Sequence, residues 1–235
     1  MDMILQLENL EAAYGMSQVL FGVNLEVKEG EVTCLLGRNG VGKSTTIKTI
    51  MGVLRPKAGS IRFKDTEIGG MAPNRINRLG VAYVPQGRQV FPTLTVRENI
   101  IFGERKPKEN RAKVWTLDDI YELFPRLKER QNFMGDRISG GEQQMMVIAR
   151  ALMQNPDLLL LDEICEGLAP IVVQELAAVI PELCRQGVSV LLVEQSAKFA
   201  LEVSSSCYIM EKGAVVYSDE TKNISDEIFK KYMGT

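Results

Sequence analysis

The chain contains no histidine. That removes imidazole acid–base catalysis, histidine-assisted Ser or Cys nucleophiles and histidine-ligated metals, so any catalysis has to run on carboxylates, lysine, backbone amides or a hard metal ion. There is no excess of positive charge: 28 Lys and Arg face 30 Asp and Glu, a formal charge of -2, which lends no support to nucleic-acid binding. Cysteine is scarce, and Cys34, Cys165, Cys184 and Cys207 are spaced too irregularly for a zinc pattern or a disulfide framework, so they are expected to be reduced. No apolar run approaches the roughly 18 residues that a membrane-spanning helix needs. The opening MDMILQLENLEAAY carries acidic and polar residues where a signal peptide has a basic and then an apolar region, which makes the cytoplasm the expected location.

What is present is an ordinary globular composition over 235 residues, 45% hydrophobic and 25% charged, enough for one large domain or a domain with a small subdomain. Period-2 alternation marks strands at Val23, Leu25 and Val27, at Ile61 and Phe63, and at Val81 and Tyr83. The stretch from Glu31 to Leu36 runs straight into a glycine-rich loop, and Thr45, Thr46, Ile47, Ile50 and Met51 then take helical spacing up to Gly52. From Phe91 to Pro156 the pattern becomes helical, with a capping box at Thr95 and Glu98 and a helix over Leu117, Ile120, Tyr121 and Phe124 that stops at Pro125. Apolar runs at Leu158 to Leu161 and Val188 to Val193 suit parallel strands buried on both faces. Between them Val172, Leu176, Val179, Ile180 and Leu183 predict a helix in which Pro181 forces a kink or an early stop. A hairpin turning at Lys212 and Gly213 and a charged tail close the chain. These patterns predict an α/β chain with a single domain over 1–235, whose core occupies 1–90 and 157–235 and whose inserted helical subdomain occupies 91–156.

Gly37 to Ser44, GRNGVGKS, matches G-x-x-x-x-G-K-[ST] between a strand and a helix. In that pattern glycines let backbone amides face phosphate oxygens, Lys43 reaches the outer phosphates and the Ser44 hydroxyl meets magnesium. The helix start adds amide donors and dipole to the same anion site. The run LLLLDE then ends a buried strand in two carboxylates, Asp162 and Glu163, suited to holding magnesium and to orienting or deprotonating a water. The segment Ser139, Gly140, Gly141 and Glu142 opens another helix, for which a capping box is a sufficient local explanation.

The order of GRNGVGKS, Gln86, SGGE, LLLLDE and Gly167 to Pro170 closely resembles the ATP-binding subunits of ABC transporters over nearly the whole chain. The resemblance implies a P-loop NTPase core, mainly a parallel sheet with an antiparallel β part. It implies ATP and Mg2+ as cofactors and two ATPase subunits closing head to tail, so that each ATP lies between Gly37 to Thr45 (Gly37, Arg38, Asn39, Gly40, Val41, Gly42, Lys43, Ser44, Thr45) of one and Ser139 to Glu142 of the other. It casts Tyr14 as the aromatic that stacks on adenine, Gln86 as a magnesium and water contact whose loop faces the membrane partner, and Glu163 as the general base. The run from Val84 to Val96, together with EGLAP and LLVEQ, is more similar to an ATPase subunit of branched-chain amino-acid importers. Urea and short-amide importers use very similar subunits, and a non-transport ABC ATPase or a regulatory nucleotide-binding partner is the alternative from another class. The implied partners are two integral membrane permease subunits, a second ATPase subunit and, indirectly, a periplasmic or surface binding protein, with this chain peripheral on the inner face of the cell membrane.

Three positions depart from the wider family pattern. Gln195 stands where most transport ATPases have a histidine, and its amide can hydrogen-bond a phosphate oxygen without a titratable proton. Glu142 replaces the more usual Gln, and Ile164 stands where a Pro is frequent.

Overall fold

The computed structural model describes residues 2–106 and 113–233. In chain order the strands are β1 Met3–Tyr14, β2 Ser17–Lys28, β3 Val32–Leu36, β4 Ala58–Phe63, β5 Thr66–Glu67, β6 Val81–Val84, β7 Leu158–Asp162, β8 Ser189–Glu194, β9 Ser206–Glu211 and β10 Ala214–Glu220. The helices are α1 Lys43–Ile50, α2 Pro73–Leu79, α3 Val96–Ile101, α4 Leu117–Leu123, α5 Pro125–Glu129, α6 Gly140–Leu152, α7 Pro170–Arg185, α8 Ala197–Val203 and α9 Asp226–Met233.

The strands form two sheets. One has the order β2-β1-β4-β5 and is antiparallel throughout. The other has the order β10-β9-β3-β8-β7-β6, in which only the β9–β10 edge is antiparallel and the other neighbours run parallel. Parallel strands buried on both faces carry apolar side chains at every position. Every residue of β3, β7 and β8 is accordingly buried. Their side chains alternate between two cores: Leu35, Leu158, Leu160, Leu191 and Val193 face the antiparallel sheet and α1, whereas Cys34, Leu36, Leu159, Leu161 and Leu192 face the helices. The antiparallel part that the resemblance implies is present, and it lies over one face of the parallel sheet.

The helical stretch expected at 91–156 contains α3 to α6, and residues 107–112 of it lie outside the described residues. Its apolar faces (Val96, Ile100, Ile120, Leu127, Met145, Ile148) share one core with Ala82, Leu159 and Leu161 of the sheet. Three of the helices start at capping boxes: Thr95 with Glu98, Thr116 with Asp119 and Ser139 with Glu142. The helix over Leu117 stops at Leu123, and Pro125 then opens α5, a first-turn position where its missing N–H costs nothing.

Pro181 does not stop the helix early. The helix α7 runs unbroken from Pro170 to Arg185 with Pro181 inside it. The carbonyl deprived of a donor is that of Ala177, and both residues lie on the half-buried side of the helix. The continuous burial of Leu176, Ile180 and Leu183 on the other side holds the helix together across that defect.

Candidate nucleotide site

Four neighbouring parallel strands end along one edge of the sheet, and the candidate residues sit in the turns that follow them. Gly37 follows β3, Gln195 follows β8, Asp162 and Glu163 close β7, and Gln86 lies two residues beyond β6. This carboxyl edge is where open parallel sheets take their ligands. Residues scattered over more than 150 positions of sequence therefore meet because their strands are adjacent.

The loop from Gly37 turns into α1 at Gly42, whose φ of 115° is open to glycine and strained for any residue with a Cβ. The Lys43 ammonium, 3% exposed, donates to the carbonyls of Gly37 at 2.9 Å and Arg38 at 3.0 Å and pairs with Glu163 at 3.0 Å. One residue on, the Ser44 hydroxyl donates to Asp162 Oδ1 at 3.0 Å. Helix-start amides beside a buried ammonium form an anion site. The hydroxyl and carboxylate beside it form the start of a hard-cation site.

Tyr83 on β6 donates its hydroxyl to Asp162 Oδ2 at 3.1 Å. Burial pushes Asp162 above the usual carboxylate range, against the pull of the Ser44 and Tyr83 hydrogen bonds. Burial also drives Tyr83 up, so it stays a donor throughout the neutral range. Glu163 has a φ of 49°, left-handed backbone that costs on the order of 1–2 kcal/mol in a residue other than glycine. Its N–H donates to the Val193 carbonyl at 2.9 Å, and its carboxylate accepts from the Gln86 amide at 2.9 Å while pairing with Lys43. The same Gln86 amide donates to Glu166 at 2.7 Å.

Gln195 is exposed and lines, with Glu163, Cys165, Glu166, Glu194 and Ser196, a cavity of about 270 Å³. Tyr14 ends β1 and is 48% exposed. Among the described residues, the Ser139 to Glu142 group makes no hydrogen bond or ion pair with Lys43, Ser44, Asp162 or Glu163. Its hydrogen bonds close on itself, Ser139 N–H to Glu142 at 2.7 Å and Glu142 N–H to Ser139 at 3.3 Å, and Arg130 adds an ion pair at 3.6 Å. The start of α6 packs so closely on α7 that a Cβ at Gly141 would fall 2.6 Å from Val172. Arg88 joins this region to the turn after Glu163: its guanidinium donates to the carbonyls of Glu166 and Gly167 at 3.0 and 3.1 Å and lies against Gly140.

Tyr83, Arg88, Glu166 and Glu194 were not picked out by motif. Tyr83 carried one usable signal, a phenol on the strand before Gln86. Arg88 and Glu166 sit inside runs already matched to the family, where nothing local distinguishes them from solvated charges.

A family model described as ABC transporter matches residues 20–166, more than half of the chain. The chain belongs to the ABC transporter family. Members of this family bind ATP and hydrolyse it to power transport, so the chain is an ATP-hydrolysing transporter subunit. A high-affinity branched-chain amino acid transport ATP-binding protein, BraG of Pseudomonas aeruginosa, is 44% identical over 92% of each chain. The arginine transport ATP-binding protein ArtP of Haemophilus influenzae is 37% identical over 98% of this chain and 99% of its own. The lipopolysaccharide export ATP-binding protein LptB of the same organism is 33% identical over 98% and 97%. Among solved structures, an ATP-binding cassette of an ABC transporter in its ADP conformation superposes with a TM-score of 0.85 at 27% identity over the whole of both chains. The expected fold class agrees with that cassette.

Proposed function

We propose that this ABC ATPase energises an importer of branched-chain, hydrophobic amino acids. The reading draws on the 44% identity to a branched-chain transport subunit over nearly the full length. Within it, the assembly of Lys43, Ser44, Gln86, Asp162 and Glu163 at one sheet edge supports the division of labour. The amides of Gly37 to Thr45 and the Lys43 ammonium hold the phosphates, and Tyr14 stacks on the adenine. Ser44, Asp162 and Gln86 would hold Mg2+, a fit supported by oxygen donors and by the Ser44–Asp162 contact. Bound there, the ion neutralises charge on the phosphate oxygens. Glu163 acts as the general base, freed from Lys43 when phosphate oxygens take over that ammonium, and Gln195 hydrogen-bonds the outer phosphate.

Ser139 to Glu142 completes the site of a second ATPase subunit, a reading supported by the lack of any bond from them to this chain's own Lys43 cluster among the described residues. Docking to two membrane permease subunits on the inner face of the cell membrane is supported by a cavity of about 540 Å³ beside Lys48, Tyr83, Pro85, Phe91, Phe102 and Arg150. Phe91 and Phe102 meet edge to face at 4.8 Å there, 37% and 66% exposed. A periplasmic or surface binding protein would deliver the solute to those subunits, not to this chain.

The test of the chemistry is a pair of variants. Lys43→Ala is expected to lose tight ATP binding, and Glu163→Gln to keep it while turnover falls by two or more orders of magnitude. Normal turnover in Glu163→Gln sinks the assignment of the base. The transport reading is tested by purifying the chain from its native membranes: co-purification of two multi-spanning proteins and a second ATPase supports it, and recovery of ribosomal or DNA-repair proteins overturns it.

A further inference from the structure

Glu194, the last residue of β8, is 3% exposed, and no cation neutralises it in the structure described. One carboxylate oxygen accepts the Cys165 N–H at 3.1 Å and the other the Gln195 N–H at 3.3 Å. Burying a carboxylate without a counter-charge is unfavourable and leaves hydrogen bonds as its compensation. These bonds reach two different turns at the sheet edge. Cys165 lies two residues after Glu163, whose backbone is left-handed, and a second tie from β8 to that turn is the Glu163 N–H to the Val193 carbonyl at 2.9 Å. Gln195 is the residue proposed to meet the outer phosphate. Both ties originate from the end of β8, so the end of one buried strand serves as the common reference for the two turns.

We propose that Glu194 is a positioning residue for ATP hydrolysis, its carboxylate clamping the Glu163 turn and the Gln195 turn in a fixed relation to one another. This rests on the reading of Glu163 as the base. Glu194 touches neither Lys43 nor the loop from Gly37 to Ser44, so it acts on the placement of the base and not on nucleotide affinity. A misplacement of a reacting group by about 1 Å costs about 100-fold in rate. Losing both ties is therefore expected to lower kcat by about 10- to 100-fold.

The experiment measures kcat and KM for ATP, with thermal melts and equilibrium binding of a fluorescent ATP analogue, for Glu194→Ala and Glu194→Gln in the full chain and again in a Glu163→Gln background. The expected result is a fall in kcat with KM and analogue affinity within about twofold of the parent, because the nucleotide-holding loop is untouched. Glu194→Gln keeps one acceptor oxygen and is expected to fall between the parent and Glu194→Ala. In the Glu163→Gln background the Glu194 substitution is expected to cause no further loss, since it acts through a base already removed. An unchanged kcat, a raised KM with kcat retained, or an undiminished further loss in the Glu163→Gln background overturns the inference. Full turnover of Glu163→Gln itself would instead bring down the reading of the base. If Glu194→Ala fails to fold, the isosteric Glu194→Gln is judged by the same criteria.

Discussion

Two buried or half-buried glutamates show how neighbouring donors decide the cost of a single charge. Glu142 loses solvation at the start of α6, but the Ser139 hydrogen bonds and Arg130 outweigh that loss and hold it below its ordinary value of 4.5. Its contribution to stability is therefore complete above 4.5 and is lost as pH falls through the folded value. Glu142→Ala is expected to lower stability at pH 7 by about 0.3–1.5 kcal/mol, and the deficit should vanish in thermal melts taken in acid. Glu142→Gln keeps an oxygen that accepts the Ser139 N–H but loses the charge, so it is expected to lose part of that stability at pH 7, less than Glu142→Ala. Glu194 has the opposite sign. Burial raises it above 4.5 despite the Cys165 and Gln195 N–H groups, so ionised Glu194 costs stability once pH rises through the folded value. The Tm of Glu194→Gln relative to the parent is expected to climb as pH is raised through that range. A rising relative Tm alongside a falling kcat would mark a charge kept for function at the expense of stability.

At the scale of the element, α7 is the informative case. Its interior proline removes one hydrogen bond and about 3 kcal/mol of helix propensity relative to alanine, yet the helix continues because Leu176, Ile180 and Leu183 are anchored under it. Pro181→Ala is expected to stabilise the chain, less the packing lost with the ring. Each kcal/mol gained would appear as a Tm rise of about 2–4 °C for a chain of this size. An unchanged or lower Tm would show that the ring's packing contributes as much as the bond it forbids. The strands behaved otherwise: the run LLLLD was readable as β7 because a strand buried on both faces has no polar side to interrupt it. Helices α2 and α8 are short segments of 7 residues, with too few positions to show a period. The tail expected to be merely charged instead forms α9, where Ile228, Phe229 and Tyr232 take helical spacing and pack on the core.

At the scale of the molecule, the proposed docking surface borders the proposed nucleotide site. The cavity flanked by Phe91 and Phe102 reaches Tyr83 and Pro85, next to the Gln86 turn. A protein seated on it would press on residues hydrogen-bonded to Asp162 and Glu163. Phe102→Ala removes a side chain that is 66% exposed and is expected to change stability by no more than about 0.5 kcal/mol. It should leave ATP binding intact and reduce recovery of the membrane subunits. Equal recovery from parent and variant would move the docking surface elsewhere.

Local chemistry was written plainly in the chain. A phosphate loop needs its glycines, lysine and hydroxyl within eight consecutive residues, and a capping box needs partners three apart, so both are legible without a fold. The adjacent acids Asp162 and Glu163 were legible for the same reason, as neighbours at the end of an apolar run. What the chain alone left open was every relation across distance: Ser44 with Asp162, Gln86 with Glu163, and Glu194 with Cys165 are 118, 77 and 29 residues apart. Those meetings depend on the strand order β3-β8-β7-β6, which no periodicity encodes. The sequence alone determined which groups suited to a phosphate this protein carries; only the tertiary structure decided which carboxylate faces the lysine, which is buried, and which backbone amides each one holds, because those follow from which strands lie side by side.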